Sequence, residues 1–182
     1  MIETAEQFFG LLTLLCWAFL VACWGSVVRC HLGPRAEVLD RARTAGRDAA
    51  PWLAVVVSVT TMAGSLFFSE YAHYVPCLMC WVQRSLLYPL ALLSLVLLVR
   101  PGWRWVRWLA IALAVADVPV SAYHRLIELH PSREGDIDCS AVGPACTVPY
   151  LTVFGSITLA VMALTSALTM VTLLLAARPD RT

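Results

Sequence analysis

PCLMCWVQRSLLYPLALLSLVLLV, residues 76–99, decides how the rest of the chain is read. From Cys80 to Val99 it carries one charge, Arg84. An apolar run of about 20 residues is the length of helix that crosses a bilayer. Four further stretches of similar character lie at about 8–28, 50–69, 103–123 and 150–177. The whole chain is 60% hydrophobic and 14% charged, where a soluble domain is roughly 25% charged. With a net charge of +1, a disordered chain, an acidic tail and a basic nucleic-acid binder are excluded. The polar stretches between the spans, 29–49 and 124–149, are too short to hold a soluble domain. The expected fold is all-α: a polytopic membrane helical bundle. The first apolar run reads as a true signal-anchor span, because its leader carries Glu3 and Glu6 and no base and the run is long for a cleaved signal.

All 13 basic residues are arginine, and their placement orients the bundle. Arg29, Arg35, Arg41, Arg43 and Arg47 follow the first span; Arg100, Arg104 and Arg107 follow the third; Arg178 and Arg181 end the chain. These connections belong in the cytoplasm, which puts the N-terminus outside and the C-terminus inside. Arg125 and Arg133 lie on the opposite side, and Arg84 sits within a span. Of the seven cysteines, Cys77, Cys80, Cys139 and Cys146 then fall on or near the outer face, where disulfides persist.

Cys77-Leu-Met-Cys80 sits where an outward loop enters the third span, after Pro76. At a helix start, unpaired N–H groups and the positive dipole end stabilise a thiolate. Such a thiol is both a good leaving group and a poised nucleophile. Arg84 is four residues beyond Cys80 and Gln83 three, so all three share a helix face just below the outer surface. An arginine there is costly unless paired or functional, and it suits an oxygen-bearing cofactor. The second pair, Cys139 and Cys146, flanks a Gly143-Pro144 turn that can bring the sulfurs together. Two disulfides on one face can exchange by thiolate attack and pass two electrons between them. No haem-attachment motif, glycine-rich nucleotide loop, ferredoxin cluster or metal-ligand set is present to receive them. A lipid-soluble quinone beside Arg84 fits. The alternative is a non-catalytic helical membrane protein whose outer disulfides are structural; a third reading is an epoxide- or quinone-reducing enzyme run in the opposite direction.

Gly64-Ser-Leu-Phe-Phe-Ser-Glu70, followed by Pro76-Cys-Leu-Met-Cys-Trp-Val-Gln-Arg-Ser-Leu-Leu-Tyr-Pro89, resembles the DsbB/BdbC family of disulfide-bond-formation proteins, most closely its BdbC-like branch. Tyr123-His124 and Val153-Phe-Gly155 resemble the family's helix ends. The likeness covers about residues 50–177: a four-helix DsbB-like domain (50–182) preceded by an extra transmembrane helix and cytoplasmic linker (1–49). The loop pair follows the Cys-x-x-Cys, whereas in the vitamin K epoxide reductase family it precedes it. The loop pair is also closer together than in the Gram-negative branch. The resemblance implies a thiol:quinone oxidoreductase of the bacterial cytoplasmic membrane that supports disulfide formation in exported proteins. A reduced DsbA-like thioredoxin-fold thiol oxidase would attack at Cys139, Cys146 would exchange with Cys77, and Cys80 would face menaquinone or ubiquinone. Arg84, Gln83 and His124 would bind that cofactor, and the partners would be the thiol oxidase and the membrane quinone pool, with no nucleic acid.

His124 is a candidate for tuning a thiolate or moving protons. Asp117, an acid inside a span, shares its face with Ser121 and His124 and is read as pairing with Arg84 or polarising His124. Glu70 and His73 read as solvated interface residues. Cys16, Cys23 and Cys30, seven apart, form a stripe suited to helix packing. Trp103, Trp105 and Trp108 read as interface anchors.

Overall fold

A computed structural model describes residues 1–32, 37–131 and 144–177, with the backbone alone for 30–32 and 37–43. Five helices carry the fold: α1 (Ile2–Leu32), α2 (Glu37–Leu66), α3 (Leu78–Val99), α4 (Arg104–Leu129) and α5 (Leu159–Ala176). Each contains a stretch long and apolar enough to cross a membrane. One π-helical turn, Phe67–Tyr71, extends α2. No β-sheet occurs among the described residues, so the all-α expectation holds.

Several boundaries differ from the sequence reading. The last helix begins at Leu159, not near Tyr150. Val153 and Ile157 instead form an isolated antiparallel bridge around a tight turn in which Phe154 and Gly155 take positive φ, 51° and 79°. Leu151, Val153 and Ile157 are buried, so their hydropathy mimics a helix start, while the amides of Val153 and Ile157 are committed to the turn. In the other direction, α4 continues six residues past Tyr123 to Leu129. Polar residues end the apolar run there but not the helix. Glu128 pairs with Arg125 at 2.9 Å and accepts the Thr158 hydroxyl at 2.7 Å, tying the end of α4 to the start of α5. The helix α2 also runs without a break through the expected boundary at residues 49 and 50.

Helices α2 to α5 form the core: α2 packs on α3 and α5, and α4 packs on both of these as well. Ala50, Ala54, Ala110 and Ala114 are almost fully buried there. In lipid, where tails are as apolar as leucine, small side chains and interhelical hydrogen bonds drive association. Ser58 and Ser94 bridge α2 and α3 at 2.7 Å, and Thr61 and Ser166 bridge α2 and α5 at 2.7 Å. Arg107 donates to the carbonyls of Leu174 and Leu175, satisfying acceptors that the end of α5 leaves open.

Helix α1 leans on this core from outside. Trp17 Nε1 donates to Thr165 Oγ1 of α5 at 2.8 Å, and Tyr74 donates to the Glu6 carboxylate. Where α1 meets α2, glycine is required: a Cβ on Gly64 would lie 2.6 Å from the Phe9 ring. Gly64→Val should therefore destabilise the protein by about 1–3 kcal/mol and lower its thermal midpoint in detergent. Adding Phe9→Ala should recover most of the loss, since neighbouring sites are not additive. A Gly64→Val protein that melts like the wild type would show that α1 is not seated at this contact.

Candidate functional site

The site grows from the first turn of α3. Cys77 is its N-cap, with extended backbone (φ −75°, ψ 174°) and Sγ accepting the Cys80 N–H at 3.4 Å. A helix turn later Cys80 returns to the same side, and the sulfurs are 3.0 Å apart. Cys77 is 4% exposed, and His124 Nε2 of α4 approaches its sulfur at 3.8 Å. The hydrogen bond from Cys80, with those of His124 and the backbone added, outweighs burial and brings the Cys77 thiol down from 9.0 to about 4. A sulfur so stabilised as thiolate is a good leaving group in disulfide exchange. The ligand atoms of Cys77, Cys80 and His124 lie within 4.8 Å of one another. Two thiolates on tetrahedral zinc, at Zn–S about 2.3 Å, stand about 3.8 Å apart, so the closer sulfurs here have the spacing of an exchanging dithiol.

Cys146 is disulfide-bonded and buried in one apolar cluster with Cys77, Met79 and Ile127. Its expected partner, Cys139, lies outside the described residues. The structure thus brings three of the four expected redox sulfurs to one end of the bundle.

On the other side of Cys80 opens a cavity of about 210 Å³. Cys80, Gln83 and Arg84 of α3 line it, opposite Phe9, Thr13 and Cys16 of α1, with Ser65 of α2 and Met162 of α5 completing the walls. Arg84 donates from Nε to Ser65 Oγ and from Nη2 to the Ser65 carbonyl, each at 3.0 Å, and its guanidinium lies 5.5 Å from the centre of the Trp81 ring. Among the described residues it has no carboxylate partner. The expected pairing of Asp117 with Arg84 is therefore not found: Arg84 turns to α2, while Asp117 is fully buried in α4 and accepts from Ser121.

His124 is buried, not at a helix end, and lies behind the thiols instead of lining the cavity. Its Nδ1 is 3.3 Å from Gln83 Oε1, and Gln83 Nε2 donates to Ser121 at 2.8 Å. Sequence reasoning missed Ser65 as the seat of Arg84, and α1 as a wall. A hydroxyl within an apolar span was the only signal for the first; nothing marked the second. Cys16 faces the cavity and Cys23 is half-buried, both as free thiols; the side chain of Cys30 lies outside the described residues. Glu70 and His73 are exposed, as are Trp103, Trp105 and Trp108.

Fold and site together define a multi-pass helical membrane protein that holds a dithiol between a buried disulfide and an apolar cavity. Residues 47–177 match the family described as Disulfide bond formation protein DsbB, and the chain belongs to that family. It is thereby an oxidoreductase of disulfide bond formation. It is similar to Disulfide bond formation protein C of Bacillus subtilis, 35% identical over 60% of this chain and 78% of that protein. A probable disulfide formation protein of Oceanobacillus iheyensis is 36% identical over 59% of this chain and 74% of its own. Probable disulfide formation protein C 2 of Bacillus cereus is 34% identical over 67% and 86%. No solved structure matches the chain significantly.

Proposed function

We propose that the chain is a thiol:quinone oxidoreductase that reoxidises a DsbA-like thioredoxin-fold thiol oxidase outside a bacterial cytoplasmic membrane. The observation that carries this reading is the position of Cys80. It shares a cavity wall with Arg84, while Cys77, whose sulfur is 3.0 Å from its own, shares a buried cluster with disulfide-bonded Cys146.

The reduced partner's thiolate attacks Cys139, breaking its bond to Cys146; the partner's second thiol resolves the mixed disulfide, and the partner leaves oxidised. Cys146 then attacks Cys77 of an oxidised Cys77–Cys80 pair, and Cys80 departs as thiolate. Cys139 closes back onto Cys146, displacing Cys77, whose low pKa suits it to leave. Two electrons and two protons have moved from the partner to the Cys77/Cys80 pair.

The cavity suits a quinone, menaquinone or ubiquinone. Its walls are mostly apolar, and Arg84 uses two of its five N–H donors on Ser65, leaving three for a ligand oxygen. A quinone, when bound, accepts two electrons and two protons. Arg84 orients an oxygen and offsets negative charge, and Gln83 shares its wall. His124 acts on the thiol side, holding a proton at Cys77.

The arginine bias puts the Cys77 end of the bundle outside, with the N-terminus there too and the C-terminus in the cytoplasm. The Glu6–Tyr74 and Glu128–Thr158 bonds support one shared end for these segments. Residues 1–49 are an addition to a four-helix unit, 50–182, and α1 serves as the cavity's outer wall.

In lipid nanodiscs, the protein should reduce added menaquinone or ubiquinone only while a reduced thioredoxin-fold oxidase is present, with one quinone consumed per partner disulfide formed. Partner oxidation with no quinone consumed, or no oxidation at all, would overturn the proposal.

A further inference from the structure

A chain of buried hydrogen bonds runs from Asp117 to the thiols. Ser121 Oγ donates to Asp117 Oδ2 at 3.0 Å, Gln83 Nε2 donates to Ser121 Oγ at 2.8 Å, Gln83 Oε1 faces His124 Nδ1 at 3.3 Å, and His124 Nε2 faces Cys77 Sγ at 3.8 Å. All five side chains are buried, Asp117 and Ser121 completely. We propose that Asp117 is a positioning residue: by accepting the Ser121 proton it fixes the direction of this chain, so that His124 presents an unprotonated Nε2 to Cys77.

The direction follows from counting protons. With Asp117 ionised its oxygens only accept, and a serine hydroxyl has one proton to give. With that proton committed to Asp117, Ser121 can only accept from Gln83. The amide nitrogen of Gln83 must therefore face Ser121, and its carbonyl must face His124. A carbonyl cannot donate, so Nδ1 of His124 carries the hydrogen. In the neutral ring that leaves Nε2 as the acceptor. When the Cys77 S–H bond breaks, its proton forms the N–H bond at Nε2, and the electron pair stays on sulfur. The opposite tautomer has a hydrogen at Nε2 already and cannot take that proton. The sequence of events rests on Cys77 being a redox thiol, as proposed above.

A purely structural role explains Asp117 poorly. Its Oδ1 has no hydrogen-bond partner among the described residues, Arg84 bonds elsewhere, and an apolar side chain of similar shape fills such a site without leaving an orphaned acceptor.

The test is the nitrogen NMR spectrum of ¹⁵N-histidine in the protein with its Cys77–Cys80 pair oxidised, before any thiol proton reaches the ring, with the His124 signals identified by their loss in His124→Gln. The wild type should show neutral His124 with hydrogen on Nδ1 and none on Nε2. In Asp117→Leu the Ser121 proton is released, Gln83 is free to turn, and the Nε2 signal should shift to that of a protonated nitrogen. Adding Gln83→Glu, which keeps one carboxylate in the chain and has no donor, should restore hydrogen to Nδ1. If Asp117→Leu does not fold, Ser121→Ala breaks the same link and should show the same shift. An unchanged tautomer in the folded variant, or no restoration by Gln83→Glu, would overturn the proposal. The spectrum needs neither quinone nor partner, so it can fail while the relay stands, and the relay can fail while it holds.

Discussion

Cys80→Ser should abolish quinone-linked turnover, a fall of about 10³-fold or more, in a protein that still folds. Serine preserves the size of the side chain, and the backbone N–H that caps onto Cys77 is unaffected by it. What it removes is the sulfur that bonds Cys77 and faces the cavity. A serine hydroxyl neither forms that bond nor leaves as a stable anion near neutral pH. The remaining sulfurs then decide the second half of the result. Cys77, at the helix cap beside His124, has only the loop disulfide to attack, and it lies in one cluster with Cys146. A Cys77–Cys146 link should therefore accumulate, visible as a cross-linked peptide by mass after alkylation, with link and oxidised partner together amounting to at most one disulfide per chain. Full turnover in Cys80→Ser would remove this sulfur from the reaction. Loss of turnover with a link from Cys16 in place of Cys146 would redraw the order of exchange.

Much of this site was legible because its key features are local. The helix-start position of Cys77, and the common face of Cys80, Gln83 and Arg84, follow from spacing along one helix, and the helix formed where the apolar run required it. The shared face of Asp117, Ser121 and His124 is local for the same reason. What spacing along one chain segment does not contain is the partner across the gap. Arg84 was read against Asp117 because both are intramembrane charges. Packing instead turned it to Ser65, whose hydroxyl and carbonyl together match a guanidinium. The start of α5 was misread because burial and helicity share one hydropathy signal, and only the Phe154-Gly155 turn separates them. The first span looked peripheral to the reaction, yet Phe9, Thr13 and Cys16 wall the cavity, a consequence of close approach at Gly64 that no periodicity announces.

Arg84→Leu should raise the KM for quinone by about 10- to 100-fold while leaving partner-driven reduction of the loop disulfide intact. The magnitude comes from a hydrogen bond to a charged group, about 1.5–3 kcal/mol, at 1.4 kcal/mol per decade. The selectivity comes from geometry: Arg84 lines the cavity and bonds α2, whereas Cys146 packs with Cys77 in a separate cluster. Stability should move little or rise. The substitution gives up two bonds to Ser65 but also removes a cation that has no carboxylate partner among the described residues, and such a charge within a bilayer is costly. Arg84→Lys is the informative intermediate. A lysine keeps the charge but offers a single ammonium where arginine offers a planar fork, so it cannot hold both Ser65 acceptors and still present donors to a ligand. It should fall between wild type and leucine in KM. A fold-supporting role predicts the opposite pattern: a lower thermal midpoint in Arg84→Leu with an unchanged KM. That result would take Arg84 out of the binding site and leave the cavity without its charge.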